Sequence, residues 1–404
     1  MRILYICQYF PPEMGAPAAR SYAFSRRWVQ ASHEVTVISG IPNHPTGNVY
    51  PGYRRQLVYR ENLDGINVLR VWVYTTPNSG VLRRSFNYIS YALSAAFSGQ
   101  FVEKPDVIIA SSPQILAGLA GIAVKWLRGV PLVVEVRDLW PDTIAEIEVN
   151  IGDAAMRLLR SIERFMYRTP DAVVSVSPAF SEHLLTNGVE EHRLHVIPNG
   201  VDRSLFFPEE KKARTFFNGR LQDKFIVAYI GTMGLCHGLE TIIEAASILR
   251  DTPDVHFVLM GEGAEKEILK ARCSAIPNVT VYDSRPRKEI GSILHEVDAS
   301  LVLLKNKPIF RTVIPSKLFE AMGCGVPVLL GVDGMARAII EESGGGLFVE
   351  PENPRNLAET VLRLRNDNHL RNQLGAKGAS YVLQHYNIDI LARRYEQILE
   401  NVIS

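Results

Sequence analysis

Phe225-Ile226-Val227-Ala228-Tyr229-Ile230-Gly231-Thr232-Met233-Gly234 is the stretch whose reading decides the fold. Its six apolar and β-branched residues form a short run without alternation. That suits a strand buried on both faces of a parallel sheet. Glycines follow where backbone must pass close to a neighbour or ligand, and the amphipathic segment Leu239–Arg250 then reads as a helix. The same strand–glycine–helix order opens the chain, where Ile3–Cys7 runs into Tyr9-Phe10-Pro11-Pro12-Glu13-Met14-Gly15-Ala16 and a helix over Ala16–Ala31.

Working outward from each opening, short apolar runs alternate with amphipathic segments. In the first half, strands are predicted at Glu34–Ser39, Asn67–Val73, Val107–Ala110, Leu132–Val136 and Ala172–Val176. Helices are predicted over Asn87–Glu103, Gln114–Leu127, Asp153–Tyr167 and Ala179–Thr186. The second half repeats the alternation, with strands at Val255–Met260, Val279–Tyr282, Ala299–Leu304 and Pro327–Leu330. Two blocks of this kind predict an α/β protein of two Rossmann-like, doubly wound domains. The expected division is 1–203 and 204–385, with a terminal helix in 386–404. The stretch between Pro198-Asn199-Gly200 and about Lys224, which holds Pro208 and the charge run Glu209–Arg214, reads as a linker.

The 404 residues suffice for two cores. A formal net charge of +1 gives no field for nucleic acid. Cys7, Cys236, Cys273 and Cys324 are scattered without metal-ligand spacing, as expected of reduced cytoplasmic thiols. The N-terminus lacks the pattern of a signal peptide. No apolar stretch reaches the roughly 20 residues of a spanning helix.

Ile314-Pro315-Ser316-Lys317-Leu318-Phe319-Glu320 carries the most chemistry. Ser316 is read as an N-cap, which puts Lys317 at the first helical position. The helix dipole disfavours a cation there, unless an anion sits against it. Backbone N–H groups and Lys317 can hold a diphosphate, and Glu320, one turn deeper, can accept hydrogen bonds from a ribose diol. Gly231, Thr232, His237 and Pro315 belong to the same expected donor site. Among the basic residues nearby, Lys305 follows a strand at the carboxyl end where open sheets bind ligands, and Arg287 joins the expected donor contacts.

In the first domain, Gly15 marks a backbone turn able to approach a ligand. Glu135-Val136-Arg137-Asp138 ends a buried strand with charges that must be paired or used. Asp138 is the candidate to position or deprotonate an acceptor hydroxyl, and Arg137 either joins it or pairs with a carboxylate. No carboxylate pair suited to a metal–diphosphate is present, so no metal and no cofactor are expected. Ser85–Val102, uncharged and following Arg83-Arg84, has the composition of an interfacial helix.

Taken together, the sequence resembles glycosyltransferase family 4. The resemblance rests on the Pro-Pro-x-x-Gly turn, Ile197-Pro198-Asn199-Gly200-Val201-Asp202, the Gly231–Gly238 loop, Gly261-Glu262-Gly263, and Lys317-x-x-Glu320-Ala321-Met322-x-Cys324-Gly325-Val326-Pro327. It implies a GT-B fold with two domains facing across a cleft, donor in the second and acceptor in the first. It also implies a terminal helix that returns to the first domain, and retaining transfer. Glu320 matches the second glutamate of the family's E-x7-E pattern, which binds the donor ribose. Thr312 stands where the first would be, Thr232 and His237 replace the usual arginine and lysine of the glycine loop, and Arg137 replaces a histidine.

The branch it resembles transfers sugars such as N-acetylfucosamine in O-antigen or capsule assembly. That implies a nucleotide-sugar donor, a polyprenyl-diphosphate-linked acceptor, no nucleic acid, and a place at the inner membrane surface. The alternatives are a UDP-sugar 2-epimerase, or a non-catalytic sugar-nucleotide-binding subunit.

Overall fold

A computed structural model describes all residues except 45, 54–55, 78–80, 113–114, 143–151, 210–213 and 218. The chain divides into two compact units, Met1–Pro198 with Asp389–Ser404, and Asn199–Ile388.

The first unit holds a sheet of β1 (Arg2–Ile6), β2 (Glu34–Gly40), β3 (Val58–Leu63), β4 (Ile66–Val71), β5 (Val107–Ser111), β6 (Leu132–Val136), β7 (Ala172–Ser175) and β8 (Leu194–Val196). Their order is β3-β4-β2-β1-β5-β6-β7-β8, and only β3 runs antiparallel to its neighbour. β1 pairs Ile3 with Val35 of β2 and with Val107 of β5. The winding reverses between β1 and β5, so their carboxyl ends form a switch point, where open α/β sheets bind ligands.

The second unit holds β9 (Phe225–Ile230), β10 (Val255–Met260), β11 (Val279–Tyr282), β12 (Ala299–Leu303), β13 (Val328–Gly331) and β14 (Gly346–Phe348), all parallel, in the order β11-β10-β9-β12-β13-β14. Its switch point lies between β9 and β12. Its two apolar cores lie on opposite faces of the sheet, because alternate residues of the buried strands point to opposite sides: Ile226 and Ala228 to one core, Val227 and Tyr229 to the other.

Two expectations are corrected. The segment read as a linker supplies core: Phe206 and Phe217 are fully buried. Arg214 fixes it by donating to the carbonyls of Leu221, Gln222, Lys224 and Glu296 and to Asp298 at 2.6 Å. Residues 210–213 of its charge run lie outside the described residues. The helix expected over Asn87–Glu103 spans Val81–Ser98. Gln114, expected to start the next helix, lies outside the described residues, and that helix runs Ile115–Arg128.

The last helix, Ile388–Ile403, packs on the first unit from Asp389 onward. The Tyr395 ring meets Phe24 and Trp28 edge-on at 5.5 and 5.3 Å. Arg27 pairs with Asp389 at 2.9 Å, and the His33 ring with Glu396 at 2.7 Å.

Candidate functional site

In the second unit, the expected donor residues gather at the switch point. β9 runs into Gly231, whose φ of 152° favours glycine. A Cβ there would lie 2.8 Å from the Lys317 Nζ. The loop after β10 closes against it so tightly that a Cβ on Gly261 would sit 1.8 Å from the Gly231 carbonyl oxygen. Met233 N–H donates to the Glu262 carbonyl at 2.8 Å, completing the brace. Thr232 is exposed at the rim, and its carbonyl accepts from the Tyr229 hydroxyl at 2.6 Å.

Lys317 enters this loop from the helix Ser316–Gly323. Its Nζ lies 3.8 Å from the centre of the Tyr229 ring, buried and without a hydrogen-bond partner. Burial pushes the ammonium down to about 7, against smaller opposing effects of Cys236 and Glu320. A cation held over an aromatic face with no hydrogen-bonded counter-ion is arranged to receive an anion. His237 lies beside it, its ring 5.9 Å from that of Tyr229 and its Nδ1 buried and unpartnered. Burial, then the Lys317 charge, lowers it to about 3, so it meets a ligand as neutral imidazole. Lys305 stands two residues past β12, and its N–H donates to the Cys236 carbonyl at 2.9 Å, which ties it to the His237 turn.

The helix start differs from expectation. Pro315 is the N-cap, and Ser316 makes no side-chain cap bond. Lys317 is therefore the second helical residue and Glu320 the fifth. The Leu318 N–H bonds back to the Pro315 carbonyl at 3.1 Å, so the proline's extended backbone already sets the turn. Glu320 accepts from Arg287 Nη1 at 2.6 Å, and that guanidinium lies 5.1 Å from the Phe206 ring. Arg287 thus first serves to hold Glu320. Thr312 donates its hydroxyl to the Ile309 carbonyl of its own turn at 2.7 Å.

In the first unit, Glu135 is fully buried. It accepts from Arg20 Nε at 2.9 Å, the Tyr5 hydroxyl at 3.1 Å and the Ser111 hydroxyl at 2.7 Å. Burial would raise its pKa, but Arg20 and Arg137 with these donors hold it below the usual carboxylate value. The partner of this strand-end charge is therefore Arg20, which the sequence reading missed; Arg20 falls in helical phase with the buried Phe24 and Trp28, and that was its signal. Arg137 instead donates to the carbonyls of Ala16 and Pro17 at 2.9 and 3.1 Å, fixing the helix turn after Gly15. Gly15 has φ 128°, and a Cβ there would meet nothing closer than 3.8 Å, so a ligand can approach its backbone. Asp138 is half-buried just past β6, near Tyr167.

A polar pocket unseen in the sequence lies nearby, lined by Tyr9, His44, Thr76, Arg84, Asn87 and Tyr88. The Thr76 hydroxyl is buried there without a partner. Glu13 accepts the N–H groups of Asn43 and His44, both at 2.9 Å, and burial raises it to about 7. Among the described residues, no cluster of His, Cys, Asp and Glu could hold a metal.

Two largely parallel sheets, each with glycine turns and buried charge at its switch point, define an α/β protein of the GT-B fold class. Residues 15–200 match the glycosyl transferase 4-like domain, and residues 210–381 match glycosyl transferases group 1. The chain belongs to glycosyltransferase family 4. It is 26% identical over 348 residues to WcaI of Escherichia coli K12, a glycosyl transferase assigned to colanic acid biosynthesis, covering 83% of this chain and 85% of that protein. It is 25% identical over 252 residues to the N,N'-diacetylbacillosaminyl-diphospho-undecaprenol alpha-1,3-N-acetylgalactosaminyltransferase of Campylobacter jejuni, covering 61% and 64%. Its fold matches Anabaena HepE in complex with UDP-glucose, with a TM-score of 0.74, 16% identity, and 99% and 100% coverage. The protein is a glycosyltransferase of glycan biosynthesis.

Proposed function

We propose that the protein transfers a hexose or N-acetylated (6-deoxy)hexosamine, N-acetyl-L-fucosamine among them, from a UDP-sugar to a lipid-linked sugar in O-antigen or capsule assembly. The transfer retains anomeric configuration, uses no metal, and takes place at the inner face of the plasma membrane. One observation carries the reading: the buried, partnerless ammonium of Lys317 at the switch point of the donor unit. The UDP-glucose complex of HepE supports a nucleotide-sugar donor, and the acceptor named for the Campylobacter relative supports a lipid diphosphate.

As the sugar–phosphate bond breaks, negative charge builds on the departing diphosphate. Lys317, Lys305 and the first N–H groups of the helix Ser316–Gly323 stabilise it, a contribution of electrostatic preorganisation. Glu320, held by Arg287, orients the ribose. His237 and the Gly231–Thr232 backbone contact the phosphates. Asp138 positions the acceptor hydroxyl.

The test is UDP release with a panel of UDP-sugars and a polyprenyl-diphosphate-linked sugar. Release that is lost in Lys317→Ala supports the reading; release unchanged by that substitution removes the diphosphate site. Thr312, a hydroxyl where the family pattern has a carboxylate, favours as a second reading a donor-binding subunit, which would bind UDP-sugar yet release no UDP.

A further inference from the structure

The helix Val81–Ser98 is apolar on its outer side as well as its inner one. Asn87, Tyr91, Ala95 and Ser98 face inward and are buried. On the opposite side Leu82, Phe86, Ile89, Leu93 and Phe97 are 77, 62, 45, 67 and 68% exposed. Steps of four, three, four and four residues keep them on one face. Phe101, its ring 4.9 Å from Phe97, extends the stripe. The helix Ile115–Arg128 packs alongside and adds Trp126 and Leu127, 63 and 70% exposed. Trp126 in turn touches Phe165 of the helix Asp153–Arg168, ring centres 5.9 Å apart. Single exposed apolar residues are ordinary, whereas a run of them along one helix face, with more on the helix packed beside it, marks an interaction surface.

The charges around the stripe select its occupant. Val81–Ser98 and Ile115–Arg128 carry Arg83, Arg84, Lys125 and Arg128 and no acidic residue; Lys125 is paired with Asp171 and Arg128 donates to the carbonyls of Gln100 and Val102, so Arg83 and Arg84 are the cations that flank the stripe. On Asp153–Arg168, which packs against the same neighbour, Arg157, Arg160, Arg164 and Arg168 recur along an exposed face. A second copy of this chain would bring those cations together. An anionic leaflet complements them, with aromatic rings at the boundary of headgroups and acyl chains.

We propose that this stripe, with Trp126 and Leu127, is a membrane-docking face that seats on an anionic leaflet, the arginines of Asp153–Arg168 lying at the headgroups. The polar pocket is lined by Arg84, Asn87 and Tyr88, on the inner side of the same helix, so docking holds that pocket at headgroup level. The inference deepens the reading of a lipid-linked acceptor and rests on it for its purpose, while vesicle binding itself needs neither donor nor acceptor.

The experiment is flotation of the full chain with phosphatidylcholine vesicles, with and without phosphatidylglycerol, in the absence of substrates. The wild type is expected to float with the anionic vesicles and to stay down with the neutral ones. F86Q/L93Q/F97Q is expected to lose vesicle binding on the order of tenfold, with unchanged thermal unfolding and UDP affinity. R157Q/R164Q/R168Q is expected to lose the dependence on phosphatidylglycerol and salt. A wild type that stays at the bottom, or a triple glutamine variant that floats equally well, overturns the proposal. So does a wild-type dimer in solution that F86Q/L93Q/F97Q converts to monomer, which would make the stripe an interface between copies. Failure here leaves UDP release in detergent as a separate reading of the transferase function.

Discussion

At the residue, Lys317 has the sharpest consequences. Its ammonium is held at about 7 in the fold against 10.5 as its ordinary value. Between those values the unfolded chain binds a proton that the folded chain does not, so this group makes stability rise with pH across that window. A diphosphate favours the ammonium and reverses the preference. UDP binding near pH 8 should therefore take up a substantial fraction of a proton, visible by calorimetry in two buffers of different ionisation heat. Equal heats in both buffers would contradict it. Arg20 makes a second test. Arg20→Leu leaves Glu135 buried beside Arg137 but without its ion-pair partner, and should cost the first unit about 3–5 kcal/mol in urea unfolding. A loss under about 1 kcal/mol would mean the pair is not the anchor its geometry indicates. Lys317 was legible because a cation at a helix start breaks a local rule, whereas Arg20 looked like an ordinary surface residue unless its phase with Phe24 and Trp28 was weighed.

At the element, backbone contact governs. The Gly231 and Gly261 loops touch main chain to main chain, so Gly261→Ala must push the donor loop aside. A shift on the order of 1 Å should lower kcat/KM roughly 100-fold, and unchanged kinetics would show that the loop brace is not needed. Ser316→Ala should change stability by less than about 0.5 kcal/mol, because Pro315 and not Ser316 caps the helix. A loss near that of an ordinary cap in urea unfolding would restore the serine as the cap. The central strands were legible from unbroken apolar runs. β3 was not, since an antiparallel edge strand of sequence Val-Tyr-Arg-Glu-Asn-Leu has no buried face to betray it. The helix Asn368–His385 was also missed. Its packing uses glycines rather than an apolar stripe: a Cβ on Gly375 would lie 2.1 Å from the Gly325 carbonyl oxygen.

At the whole molecule, both units repeat one plan, a parallel sheet whose switch point carries a glycine turn and buried charge. They differ in what the charge meets. Glu135 in the first unit is fully paired, while Lys317 in the second has no hydrogen-bond partner. This asymmetry is the reason the proposal places the donor in the second unit. A UDP-sugar bound there stabilises the folded state by mass action, about 2.7 kcal/mol at a hundred times its Kd, so a donor screen by thermal shift should single out one sugar. The identity of that sugar was not legible in the sequence, because Thr312, Thr232 and His237 replace the residues through which the family pattern is read. The most direct measurement of the central claim supplies that donor with a polyprenyl-diphosphate-linked sugar and follows both products. The account predicts UDP and extended lipid in equal amounts, with both lost in Lys317→Ala. A UDP-sugar isomer formed without acceptor, or tight UDP-sugar binding with no UDP released, would contradict it.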